Sequence, residues 1–203
     1  TTMFEREAKL TASILHPNVV KVFTVGNEDG YFFIAMELVD ATSLEQVIAT
    51  SGALSEKNVL DVAHDVVAGL KAAYQEGLIH RDIKPGNMLV TKEGTSKLVD
   101  FGLAVQLGGD DESEDLWATP YYVPPEKLDG ETDTYLGDIY SLGATLYHAL
   151  TGKPPFEANT SSLEALKQIK TADLNLKVEA PTSSKATVKL IERMMAYRPE
   201  ARP

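Results

Sequence analysis

Between Ser55 and Gly77, apolar residues recur at alternating steps of three and four: Leu60, Ala63, Val67, Leu70 and Tyr74. That spacing marks one face of an amphipathic helix, which Ser55 can cap and Gly77 can close. A similar rhythm predicts a helix over 3–15, ended by His16-Pro17-Asn18, because proline disfavours helix in the residue before it. Another is expected from Asp138, where Ile139, Leu142, Gly143, Leu146 and Leu150 form a stripe closed by Gly152, and two more over 162–170 and 184–196. β-rich runs at 19–25 and 31–39 flank the polar connection Gly26-Asn27-Glu28-Asp29-Gly30, which predicts a hairpin. A smaller hairpin is expected from 88–90 and 97–99 around Lys92-Glu93-Gly94-Thr95. Residues 102–137 are rich in Gly, Pro, Asp and Glu without a period, an irregular length that is uncommon unless functional or disordered. The pattern therefore describes an α+β chain, a helix and hairpin followed by a mainly helical half.

Composition narrows the function classes. Nineteen Lys and Arg against 30 Asp and Glu give a net charge of −11, which argues against nucleic acid and anionic membranes as partners and favours basic ones. Five of the excess negative charges lie in the single run Asp110 to Asp115, where only Ser113 is uncharged. There is no cysteine, so disulfide scaffolds and thiolate-bound zinc are excluded. No apolar run reaches the roughly 18 residues of a membrane span, and the first residues lack a signal-peptide pattern, so a cytoplasmic location is expected for this segment. His64 and His148 fall on amphipathic stretches and read as packing or surface residues.

The chemistry concentrates in His80-Arg81-Asp82-Ile83-Lys84-Pro85-Gly86-Asn87, followed thirteen residues after Asn87 by Asp100-Phe101-Gly102. An isolated His-Arg-Asp triplet is more often a surface ion pair, but here the context is ordered. Downstream come Ala118-Thr119-Pro120-Tyr121-Tyr122-Val123-Pro124-Pro125-Glu126, then Asp138-Ile139-Tyr140-Ser141-Leu142-Gly143, then Arg202. Together these resemble the eukaryotic-type (Hanks-type) Ser/Thr protein kinase catalytic domain in its bacterial-like form, with Pro124 replacing the family's alanine. The resemblance implies a two-lobed protein-kinase-like fold, with 1–39 a partial small lobe and 40–203 the large lobe. It also implies ATP and Mg²⁺ as cofactors and Ser/Thr proteins, basic ones included, as substrates.

Residue by residue, the resemblance makes Asp82 the group that accepts the substrate hydroxyl proton and Lys84 the neutraliser of charge on the moving phosphoryl group. Asn87 and Asp100 supply oxygens suited to Mg²⁺. Thr119 becomes a substrate-docking residue, and Lys84 together with Thr119-Pro120 points to Ser/Thr rather than Tyr specificity. Met36 matches the gatekeeper; the backbone of Glu37 and Val39 would bond adenine, Ser43 would reach the ribose and Leu89 would lie under the base. Asp138 is expected to accept bonds from the catalytic-loop backbone, holding His80 and Arg81, and Glu126 to pair with Arg202. Phe101 belongs to the metal motif, and Glu7 falls where the regulatory helix carries its ion-pairing glutamate. Arg81 matches the arginine that a loop phosphate would engage; Ser113 is the one hydroxyl in the acidic run, whose carboxylates can make a weaker version of that contact. Trp117 is expected to pack within the segment.

The resemblance begins at the regulatory helix. No glycine-rich loop and no strand lysine precede Glu7, and the family's last helix does not follow Arg202. Weak ATP binding by this length of chain, and dimerisation through an exposed small-lobe strand edge, are the corresponding expectations. Two other readings share much of the pattern, a non-catalytic pseudokinase or scaffold and a small-molecule phosphotransferase. The second would not be expected to carry 119–126 and Arg202.

Overall fold

The computed structural model describes residues 12–29, 31–101, 105–106, 120–156, 162–172 and 174–203. Glu7, the acidic run with Ser113, Trp117 and Thr119 lie outside the described residues.

The first element, β1 (Val22–Glu28), turns back at Asp29 into β2 (Tyr31–Met36). The pair is antiparallel, with Glu28 opposite Tyr31, so the strands run further into the polar connection than its composition suggests. Asp29 takes a left-handed φ of 52°, which asparagine and aspartate tolerate in tight turns. Val19 and Val20 are buried ahead of the strand rather than inside it: Val19 bridges Leu98 in parallel, and the Val20 N–H donates to the Leu98 carbonyl at 2.8 Å.

A helical body follows. After β3 (Ala41–Ser43) come α1 (Leu44–Ser51) and the long α2 (Glu56–Gln75). Then β4 (Leu78–Ile79), a 3₁₀ turn at Pro85–Asn87, β5 (Met88–Thr91), β6 (Ser96–Leu98) and β7 (Val105–Gln106) form small sheets ordered β3-β5-β6 and β4-β7. The remainder is helical: α3 (Pro125–Leu128), α4 (Tyr135–Thr151), α5 (Leu163–Lys170), α6 (Leu176–Glu179) and α7 (Lys185–Met194).

Four helices start on serine. Ser43, Ser55, Ser162 and Ser184 each accept an amide N–H of the first turn, satisfying a donor that the helix itself cannot. For Ser43 this use of the hydroxyl differs from the ribose contact expected of it. The buried face of α2 is Val59, Val62, Val66, Leu70 and Ala73, whereas Leu60 and Val67 are 40% and 46% exposed. Of the expected stripe, Leu70 is buried and Ala63 and Tyr74 pack against the core, but Leu60 and Val67 give way to their neighbours Val59 and Val66, because packing against β6 and α4 selects the valine-rich stripe. Helix α4 begins at Tyr135, three residues before Asp138, with Thr134 in the N-cap position.

Helix α4 is buried on nearly every side, with Tyr140, Leu142 and Ala144 fully enclosed, and serves as the post on which the loops hang. Two glycines allow the close approaches. A side chain on Gly69 would start 2.8 Å from the Asn18 carbonyl oxygen, and one on Gly143 would start 2.8 Å from Met194 of α7.

Candidate active site

The loop between β4 and β5 carries His80 to Lys84, and its shape is imposed from 57 and 58 residues away. Asp138, in the first turn of α4, accepts the His80 N–H at 2.9 Å and the Arg81 N–H at 2.8 Å on its two oxygens. The Tyr74 hydroxyl of α2 adds a third bond at 3.0 Å. Burial pushes the Asp138 carboxyl up from its ordinary range, against the pull of His80 and these donors. Burial likewise raises Tyr74, so it remains a protonated donor.

The anchor holds a strained backbone. Arg81 and Asp100 adopt left-handed φ values of 69° and 60°, conformations that cost non-glycine residues of the order of 1 kcal/mol each and that cluster at functional sites. His80 is fully buried, with its ring 4.4 Å from that of Phe101. Its Nδ1 accepts the Asp82 N–H at 3.3 Å and its Nε2 lies 3.1 Å from the Val99 carbonyl, which assigns the ring proton to Nε2. Burial lowers its pKa and keeps it neutral.

Asp82 is gripped from two sides. Lys84 Nζ is 2.7 Å from Oδ2, and Asn87 Nδ2 donates to the Asp82 carbonyl at 2.9 Å and to Oδ2 at 2.8 Å. With both bonds made through its nitrogen, Asn87 keeps its amide oxygen as an acceptor for another partner. The Val99 N–H donates to the Asn87 carbonyl at 3.1 Å, tying the strand end before Asp100 to the 3₁₀ turn. The hairpin of β5 and β6 thus brings the Asn87 and Asp100 backbones into one neighbourhood, where an amide and a carboxylate oxygen suit a hard cation supplemented by phosphate oxygens.

Arg81 uses its guanidinium elsewhere. Its side chain is 1% exposed and meets Asp133 Oδ2 at 2.6 Å through both Nε and Nη2, with Lys127 at 3.5 Å from the same oxygen. Nothing in the spacing of the chain singles out Asp133, which lies in an aperiodic stretch. Glu126 and Arg202 form a two-pronged buried pair at 2.5 and 2.7 Å. Arg202 also donates to the carbonyls of Leu136, Ala196 and Tyr197 and stacks over Tyr140 at 5.0 Å.

The segment 120–124 is fastened to the same post. Ser141 Oγ donates to the Tyr122 carbonyl at 2.8 Å, the Tyr122 hydroxyl meets His148 Nδ1 at 2.7 Å, and Lys170 Nζ reaches the Tyr121 carbonyl at 3.4 Å. Burial lowers His148 and raises Tyr122, so the hydroxyl donates to a neutral ring. His148 is therefore half-buried and engaged, while His64 is exposed beside Asp65.

On the side expected to meet a nucleotide base, Met36 ends β2, and Val39 lies three residues on. The Glu37 N–H donates to the Lys21 carbonyl, so its amide is not available to a ligand. Burial raises the Glu37 carboxyl, but Lys97 at 2.8 Å and the Lys21 amide outweigh that and hold it below the usual range. Ser43 and Leu89 are opposite each other in the β3–β5 register, so the structure does bring these two together.

The model of the protein kinase domain family matches residues 1–203. The chain is 32% identical over 198 residues to the serine/threonine-protein kinase PrkC of Bacillus subtilis, covering 97% of this chain and 31% of that protein. It is 33% identical over 183 residues to a probable serine/threonine-protein kinase PknB of Lactococcus lactis, and 34% over 175 residues to PknB of Mycolicibacterium smegmatis. Those matches cover 88% and 82% of this chain but 29% and 28% of those proteins, so it spans about a third of its relatives' length or less. By its sequence from end to end, and by a two-lobed α+β arrangement of hairpin and helical body, the chain belongs to the protein kinase domain family, in its bacterial Hanks-type branch.

Proposed function

We propose that this chain supplies the phosphotransfer machinery of a protein serine/threonine kinase, moving the terminal phosphoryl group of ATP to a Ser or Thr hydroxyl and releasing ADP. The observation that carries the reading is Asp82 clasped by Lys84 and Asn87 on a loop whose buried amides end on Asp138. Asp82 takes the hydroxyl proton as the oxygen attacks, and Lys84, already beside it, offsets the negative charge of the transferring group. The free amide oxygen of Asn87 and the carboxylate of Asp100 fit a Mg²⁺ ion, which would neutralise the phosphates and orient them. Residues 1–39 would form the small-lobe part and 40–203 the large lobe, with the base held between Met36 to Val39 and Leu89.

The names of the relatives support the same chemistry, and the intact Asp82, Asn87 and Asp100 favour it over a scaffold without catalysis. The test is transfer of label from γ-labelled ATP to Ser/Thr peptides by the full-length protein. Asp82→Asn is expected to lower kcat by at least a hundredfold while hydrogen exchange around 80–99 stays as in the wild type. Turnover near the wild-type rate would refute the assignment.

A further inference from the structure

Arg81 is held at both of its ends by carboxylates from one short stretch of chain. Its N–H donates to Asp138 Oδ1 at 2.8 Å, and its guanidinium meets Asp133 Oδ2 at 2.6 Å through Nε and Nη2. Lys127 of α3 stands 3.5 Å from the same Asp133 oxygen, so two cations from separate elements converge on one carboxylate. The Arg81 side chain is 1% exposed, which closes the guanidinium off from solvent.

The turn that presents Asp133 is built from its own neighbours. After α3 the Gly130 N–H donates to the Lys127 carbonyl at 3.2 Å and the Glu131 N–H to the Glu126 carbonyl at 3.0 Å, while Gly130 takes a left-handed φ of 74°. On the far side the Gly137 N–H returns to the Thr134 carbonyl at 2.9 Å as α4 begins. Glu126 is itself fixed by Arg202, and Asp138 is buried in α4, so the carboxylate that meets the guanidinium is mounted on the same base as the one that meets the backbone. The cavity beside them, lined by Ile79, Arg81, Pro124, Asp133 and Gly137 among others, measures about 10 Å³, space for one water and far too little for a phosphate group.

In protein kinases a phosphate added to the loop commonly pairs with an arginine, and that new ion pair orders the segment. Here the charge that the guanidinium needs comes from Asp133, whose position is set once α3 and α4 have folded. We infer that Asp133 is a positioning residue that takes the place of a loop phosphate: through Arg81 it sets the strained turn before Asp82, and the kinase reaches full turnover without phosphorylation of 102–119. The inference rests on the kinase reading and adds its mode of regulation. Between Phe101 and Pro120 only Ser113 and Thr119 carry hydroxyls, and Thr119 is expected at the substrate, which leaves Ser113 as the switch that Asp133 makes dispensable.

The experiment uses the full-length protein, treated with phosphatase until mass spectrometry shows 102–119 free of phosphate, then mixed with Mg-ATP and a serine peptide and followed from the first turnover. The wild type is expected to start at its final rate, within about twofold of the untreated enzyme, and Ser113→Ala to match it. Asp133→Asn, treated in the same way, should lower kcat about tenfold while KM for ATP stays within about twofold, and Asp133→Glu should recover most of the loss because it returns the charge. A lag that shortens as enzyme concentration rises, or a phosphatase-treated rate about tenfold or more below the untreated one, would overturn the inference and leave the kinase reading intact. An unchanged kcat in Asp133→Asn would do the same. The wild-type arm decides the question even where Asp133→Asn does not fold. Transfer to no peptide by any form, with no autophosphorylation, would overturn the kinase reading and this inference together.

Discussion

Arg202 sits 76 residues from Glu126 in sequence and closes the base of the helical body around it, which makes its loss a quantitative test of how the site is supported. In Arg202→Met the Glu126 carboxylate, 6% exposed, stays buried without its partner. Removing one member of a buried pair costs about 3–5 kcal/mol, most of it the penalty of the charge left behind. The carbonyls of Leu136, Ala196 and Tyr197 also lose a donor, although methionine preserves much of the packing over Tyr140. For a domain of this size each kcal/mol shifts Tm by roughly 2–4 °C, so a fall of roughly 6–20 °C is expected, a large part of a typical 5–15 kcal/mol stability. The decisive comparison is the double variant Glu126→Gln/Arg202→Met, in which no charge is stranded. It should be more stable than Arg202→Met alone, with a coupling of about 2 kcal/mol or more. Urea unfolding of the full-length protein, read by hydrogen exchange in peptides covering 125–150, isolates this domain from the rest. Additivity of the two single variants within ~0.5 kcal/mol would refute the argument that the pair, rather than the packing, carries the cost.

Lys170 is 6% exposed between the rings of Tyr140 and Phe156, each 5.2 Å from its nitrogen, and burial lowers its pKa from 10.5 to about 7. Between those values the unfolded chain binds the extra proton, so stability should rise with pH from about 7 to 10.5, by at most ~1.4 kcal/mol per unit, and Lys170→Met should remove that slope in urea titrations at stepped pH. Gly69→Ala presses a methyl group toward the Asn18 carbonyl and should cost about 1–3 kcal/mol, checked by the same unfolding assay. Asp133→Asn leaves the Arg81 guanidinium, enclosed at 1% exposure, short of charge; kcat should fall by more than KM for ATP rises, measured by steady-state kinetics of the full-length protein.

The family and the supports of the catalytic loop were more legible in the sequence than the packing. The resemblance to the kinase family implied that Asp138 holds the backbone of His80 and Arg81, and the structure shows those bonds, with Asn87 tied to Asp82 within the loop. The start of α2 was legible for a similar local reason, since Ser55 was read as the cap it proves to be, whereas Ser162 and Ser184 opened the two later segments without being read as caps. What failed was the choice between equivalent local patterns. On α2 the stripe through Leu60 and Val67 has the same period as the one through Val59 and Val66, and only the tertiary partner decides which is buried. Asp133 left no trace because an ion pair 52 residues apart imposes no pattern on its neighbours. The hydroxyl of Ser43 could serve a cap or a ligand, and its residue type does not distinguish them. Short elements such as α3 and α6, four residues each, are too brief to show a period at all.

The bonds from His80 and Arg81 to Asp138 also set an order of events during synthesis. The loop leaves the ribosome 58 residues ahead of the carboxylate that shapes it. At ~5–20 residues per second that is a delay of roughly 3–12 seconds, during which its amides have no protein acceptor and the left-handed turn at Arg81 has nothing to hold it. A nascent chain can therefore have α2 and the β5–β6 hairpin in place and still lack the anchored loop that holds Asp82. Any chain stalled or cleaved before Asp138 would lack the acceptor that shapes this loop, however complete its His-Arg-Asp motif.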